Sequence, residues 1–266
     1  MLRDMTLGQY YQTDSVIHRL DPRVKVGGTL LYIISVFIYQ NVWGYLLAAV
    51  FLGIVIKLSK VPFRFMVRGM RAILFILLIT VVFNLFLTPG EVVFSVWKFE
   101  ITKEGIKSAV FMALRLSFLI IGSSVMTLTT TPNNLTDGME KMLSPLKVIK
   151  VPVHEVAMMM SIALRFIPIL VEETDKIMKA QIARGADFES GNIFKRAKAL
   201  VPILVPLFIS AFRRANDLAM AMEARCYRGG DGRTKMKPLI YKKRDFIAYL
   251  VILVYLVSKV LVGIYL

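Results

Sequence analysis

Two arginines in this chain sit in matching frames. Arg184 closes Ala180-Gln181-Ile182-Ala183-Arg184-Gly185, and Arg225 closes Ala221-Met222-Glu223-Ala224-Arg225-Cys226. Each follows an apolar, proline-bearing stretch that turns polar, and each is followed by a small residue. An arginine is always charged and presents a planar fork of donors that suits a carboxylate on another surface. A basic residue in the last turn of a helix also complements the helix dipole, which is ordinary capping. For either arginine alone capping suffices; the two framed copies point to docking.

Covalent chemistry has little to work with. No G-x-x-x-x-G-K-[ST] phosphate loop, HExxH or GxSxG occurs, and the only histidines are His18 and His154. His18 has no second metal ligand near it in sequence. The single cysteine, Cys226, supplies neither a disulfide framework nor a zinc spacing. The chain reads as non-catalytic, with no metal site and no cofactor of its own.

The segments that carry the two arginines read as long helices. Positions in 4-3 steps run Val156, Met160, Ala163, Ile167, Leu170 toward Arg184, and Val201, Leu204, Phe208, Ala211, Ala215 toward Arg225. That spacing lays them along one side of a helix. Pro152 fits a first helical turn. Pro168, Pro202 and Pro206 fall inside the helices, where each removes a backbone bond and bends the rod. Gly185 and Gly191 are expected to make the intervening turn, and Gly229-Gly230 to end the second helix. Thr131-Pro132 starts a short helix to about Leu143, which Ser144-Pro145 disturbs. Methionines at 158–160, 220 and 222 fit either core filling or an adaptable binding surface.

Around these helices the chain is a membrane protein. Of 266 residues, 56% are hydrophobic, the mean hydropathy is +0.63 and the formal net charge is +16. Five spans are expected at residues 26–39, 42–56, 72–87, 108–127 and 246–266. The loop with Lys57, Lys60, Arg64, Arg68 and Arg71 has no acid, whereas 89–104 is slightly acidic and 133–244 holds 20 Lys/Arg against 11 Asp/Glu. The positive-inside rule then puts the amino terminus and the large basic region in the cytosol. No cleavable signal peptide is visible in the polar first 25 residues. Aromatics are sparse among the basic residues, so no stacking platform for nucleic acid is present. The spans contain no carboxylate for a midplane ion site. Arg115 lies within the fourth span and reads as an inter-helix tie, and 57–71 reads as an amphipathic stretch at the inner surface.

Several runs together resemble a known family. Leu20-Asp21-Pro22-Arg23, Thr131-Pro132, Ser144-Pro145-Leu146, Val151-Pro152-Val153-His154-Glu155, Ala163-Leu164-Arg165-Phe166-Ile167-Pro168 and the two arginine motifs look like the transmembrane T component of energy-coupling factor transporters, in that family's order. Cys226 departs from the commonest form, in which glycine is frequent. The resemblance implies an all-α integral membrane protein of about five transmembrane helices plus a cytoplasmic pair of long crossing coupling helices. Its regions would be 1–130, amino-terminal and transmembrane, 131–244, the cytoplasmic coupling region, and 245–266, the last membrane helix. It implies a multi-pass subunit of a bacterial cell-membrane importer for a vitamin or metal ion. The implied partners are two cytoplasmic ATPases, which hold the ATP and Mg, and a small membrane substrate-binding subunit.

Residue by residue, the resemblance implies ATPase docking at Ala183, Arg184, Gly185 and at Ala224, Arg225, Cys226. It implies contact with the substrate-binding subunit through Met160, Ala163 and Ile167 of one helix and Leu204, Phe208, Ala211 and Ala215 of the other. Pro168, Pro202 and Pro206 would be hinges. A self-contained channel or carrier is the alternative, and flux through the isolated chain would favour it.

Overall fold

The computed structural model describes residues 10–38, 41–96, 99–186, 188, 192–230, 236 and 238–265. Its helices are α1 (Pro22–Ile38), α2 (Val42–Ser59), α3 (Phe63–Leu87), α4 (Lys103–Thr129), α5 (Pro132–Leu143), α6 (Val153–Ala183), α7 (Ile193–Ala224) and α8 (Lys243–Tyr265). A short antiparallel hairpin of β1 (Val92–Val96) and β2 (Phe99–Thr102) joins α3 to α4, with an irregular register between Val92 and Phe94. The sequence reading did not anticipate these strands. The architecture is otherwise all-α.

The chain divides into two compact units, Gly8–Lys141 with Leu239–Leu266, and a second built on Met142–Pro238. In the first, the core joins α1, α2, α4 and α8 through Tyr32, Val36, Tyr45, Ala48, Val125 and Tyr255. Phe51 stacks on Tyr255 with ring centroids 4.2 Å apart, and Ser35 and Tyr255 share a 2.8 Å hydroxyl hydrogen bond. The outward faces are apolar too: Trp43, Leu46, Val50 and Ile54 of α2 are exposed at helical spacing while Tyr45, Ala48 and Leu52 are buried. A helix apolar all round belongs in lipid.

Among the described residues five helices are long and apolar enough to cross a membrane, namely α2, α4, α6, Lys198–Ala224 of α7, and α8. Three of these coincide with expected spans. The other two expected spans fall on α1, whose 17 residues cover about 26 Å at 1.5 Å per residue, enough only where the bilayer thins, and on α3, a 25-residue helix over Phe63–Leu87. Arg115 ties two of these helices, its Nε donating to the Tyr45 hydroxyl at 3.2 Å.

One polar clamp gathers the approach to α1 and the start of α8. The Asp245 carboxylate accepts from the backbone N–H of Asp21 at 2.8 Å and of Lys242 at 2.7 Å. Asp21 forms a two-pronged pair with Arg23, whose guanidinium also lies 3.7 Å from the Tyr241 ring centre. Burial would raise the Asp21 pKa, but the bonds and charge of Arg23 more than offset it and hold the carboxyl below its ordinary value. His18 is structural: it pairs with the Ser15 hydroxyl at 2.7 Å and the Tyr11 carbonyl at 3.0 Å, and burial pushes its pKa down.

Candidate functional site

The second unit is an antiparallel helix pair. Gln181 of α6 bonds the Pro202 carbonyl of α7, and Glu173 accepts from Ser210 at 2.6 Å and Arg214 at 2.7 Å. Further along, Gly230 packs so tightly on the His154 ring that a Cβ there would lie 2.5 Å from it. Only glycine permits that approach, which folds the chain after α7 back onto the start of α6. The partner sets 181–202, 173–210 and 154–230 fix the antiparallel direction. α5 runs Pro132–Leu143 and gives way to a 3-10 turn at Ser144–Ile149, and Pro152 is the N-cap of α6, so this part of the local reading matches the structure.

Both helices end in the same way. Arg184 is the C-cap of α6; Gly185 N–H donates to Ile182 O at 2.9 Å and Ala186 N–H to Gln181 O at 3.0 Å. Arg225 is the C-cap of α7; Cys226 N–H donates to Glu223 O at 2.8 Å and Tyr227 N–H to Met222 O at 3.1 Å. These are two Schellman caps, with the residue after the arginine at the left-handed C′ position. Gly185 has φ +88° and Cys226 φ +56°. The requirement for a small residue is therefore conformational: φ is positive, and a side chain there is strained. α7 ends at Ala224, five positions before Gly229 and earlier than the glycine pair suggested, because Cys226 takes the turn conformation itself. Gly191 lies outside the described residues.

The caps aim the arginines outward. Ala183, Arg184, Gly185, Ala224, Arg225 and Cys226 are all exposed. Because the helices are antiparallel, the two arginines lie at opposite ends. Arg225 lines a hollow shared with Arg165 of α6, so the 19 residues from Arg165 to Arg184 separate the ends by about 30 Å at 1.5 Å per residue. Pro168 falls inside α6, and Pro202 and Pro206 inside α7, as expected. Met160 (51%), Ala163, Ile167, Leu204 (57%), Phe208 (65%) and Ala215 are exposed, and Ala211 is half-buried. They form apolar faces that the helix pair leaves uncovered, while Gln181, Glu173, Ser210 and Arg214 bond across the pair.

Length and composition alone would let α6 and α7 span a bilayer. The charges argue against it for their full length: Arg165, Glu172, Glu173, Asp175, Lys176 and Lys179 all lie within α6, and ionisable groups in lipid are costly. The apolar half of α6 precedes Val171, and the polar half follows it.

The sequence reading missed Arg165 and Arg228 as companions of Arg225, because no repeat frames them; only the fold-back at Gly230 unites them. It also missed Asp245, which is visible in sequence only as an acid opening the last helix.

The described residues form a helical membrane protein in which two arginine-capped helices lie antiparallel. Comparison with known proteins makes this specific. Residues 13–236 match the family model described as cobalt transport protein. The chain is 59% identical to the energy-coupling factor transporter transmembrane protein of Clostridium kluyveri over 98% of this chain and 97% of that one. The corresponding protein of Bacillus subtilis is 49% identical (92% of this chain, 93% of that one), and that of Lactococcus lactis 44% identical (98% of each). The chain belongs to this family of energy-coupling factor transporter transmembrane proteins.

Proposed function

We propose that the chain is the coupling subunit of an ATP-driven importer, carrying motion from two cytoplasmic ATPases to a small substrate-binding membrane subunit that takes up a vitamin or a metal ion. ATP and Mg would be bound by the ATPases, with no cofactor held by this chain. The observation that carries the reading is the pair of identical caps, facing outward about 30 Å apart by helix length, at opposite ends of one antiparallel pair. Two docking points so spaced suit two separate ATPases. Both must be cytosolic, so the pair lies along the inner membrane face, with the amino terminus inside. Residues 1–130 and 245–266 form the membrane region and 131–244 the coupling region.

In this reading, closure of the ATPases on ATP displaces the two ends relative to each other. Pro168, Pro202 and Pro206 absorb the bending, and the apolar faces through Met160, Ala163, Ile167, Leu204, Phe208, Ala211 and Ala215 pass it to the substrate-binding subunit. The test is co-purification with the ATPases and ATP-driven uptake in Arg184→Glu, Arg225→Glu and the double variant. Loss of assembly or uptake is expected. Normal transport by the double variant would overturn the reading, as would flux through the reconstituted chain alone.

A further inference from the structure

Two cations meet at one tyrosine inside the membrane bundle. Arg115 of α4 donates from Nε to the Tyr45 hydroxyl at 3.2 Å, and Nζ of Lys259 lies 5.4 Å from the centre of the same ring. Phe111 stacks on Tyr45 at 5.2 Å, and Lys107 Nζ is 5.9 Å from the Phe111 ring. Lys107, Phe111 and Arg115 follow at four-residue steps, one stripe of α4. No acid balances this charge. α1, α2, α4 and α8 carry only two carboxylates, Glu104 and Asp245. Glu104 is turned to the hairpin, where it accepts from the Glu91 N–H at 2.8 Å. Asp245 sits at the far end of α8, accepting from Asp21 and Lys242. Among the described residues neither Arg115 nor Lys259 is in an ion pair. Lys259 is buried and commits Nζ to the Gly44 carbonyl. Arg115 is half-buried, and its bond to Tyr45 uses one of five guanidinium donors. A charge so placed in a span is costly unless something polar reaches it.

We propose that Arg115 anchors the phosphodiester of an anionic phospholipid, with Lys107 two turns nearer the hairpin and Lys259 adding to the local positive field. A guanidinium fork suits a phosphate. Two observations choose a lipid over a free anion. The Arg115 guanidinium lies 5.2 Å from the ring of Phe37, one residue before α1 ends. α1 has only 17 residues, so the bilayer thins around it and headgroups descend toward that level. Below the same ring an apolar track begins: Leu30, Ile34 and Phe37 are all exposed along α1 at helical spacing. The track runs about 10 Å further into the membrane at 1.5 Å per residue, which fits an acyl chain and is of no use to inorganic phosphate.

The test is fluorescence quenching in the full chain. Trp43→Phe and Trp97→Phe remove both native tryptophans, and Ile34→Trp then places a reporter on the track. Val257→Trp, at an exposed position on the side of α8 away from Lys259, is the control. Each chain is reconstituted in phosphatidylcholine vesicles holding a minor fraction of brominated lipid, either phosphatidylglycerol or phosphatidylcholine. At Ile34→Trp the phosphatidylglycerol should be preferred about fivefold, the worth of one basic residue at an anionic surface, with no preference at Val257→Trp. Arg115→Gln should abolish the preference and Arg115→Lys should restore part of it. Lys107→Gln, at an exposed position that leaves the fold intact, should lower it. Equal quenching by the two lipids at Ile34→Trp overturns the proposal whatever the variants do, as does an equal preference at both reporters. A preference that inorganic phosphate abolishes assigns Arg115 to a free anion and also overturns it.

Discussion

The ends of α6 and α7 are the same device built twice and then placed in different settings. Each has an arginine at the C-cap, a residue of positive φ behind it and the same pair of backbone bonds. Among the described residues, nothing lies within 4 Å of where a Cβ on Gly185 would project, whereas Arg225 lines a hollow with Arg165 and Arg228. The backbone determines where each arginine points, and the neighbours determine what it can receive. Repetition in sequence thus reports the aiming and is silent about the receptor.

Charge reversal tests the comparison hardest. Arg184→Glu and Arg225→Glu should each remove ATPase binding, read by co-purification, and with it uptake. If only one does so, the two ends are not equivalent docking points. Next in size is the cap itself. Gly185→Val should lower stability by about 1–2 kcal/mol, because a side chain at φ +88° is strained. At the matching position the sign inverts: Cys226→Gly should raise stability by up to about 1 kcal/mol. Thermal unfolding of the purified chain measures both, and equal signs would break the conformational account of the small residue.

The smallest effect serves as a control in the other unit. The Asp21 carboxyl titrates below its ordinary value of 3.8 when folded. Its stabilising contribution is complete above that value and is lost as pH falls through the lower, folded one. Arg23→Gln should flatten this acid-side loss in an unfolding titration, whereas the cap variants should leave it unchanged. A cap variant that shifts the acid limb would show that the helix ends are not independent of the clamp.

Local features were the legible part of this molecule. Thr131-Pro132, Ser144-Pro145 and Pro152 mark their boundaries to within about a residue, because capping and proline sterics act over a few positions. The two arginine motifs were visible because they repeat. The hollow beside Arg225 was not, because Arg165 and Arg228 are 63 positions apart in the numbering and line one space only where Gly230 lets the chain press on His154. Hydropathy places spans at 42–56, 108–127 and 246–266, where α2, α4 and α8 form, whereas α6 and α7 are long and mixed, so length and composition alone do not tell them from spans.

Lys259 has a consequence for how the chain is made. It is 2% exposed inside α8, and its Nζ donates to the Gly44 carbonyl of α2 at 2.8 Å. Gly44 leaves room, since a Cβ there would sit 3.4 Å from the lysine Cε. An unaccompanied lysine at the centre of a span costs about 3 kcal/mol to insert. The final helix therefore enters lipid at a disadvantage that α2, made some 200 residues earlier, is already positioned to cancel. Biogenesis in sequence order delivers the acceptor before the charge. A rearranged gene presenting α8 first would ask the insertion machinery to hold a bare ammonium until its carbonyl arrived.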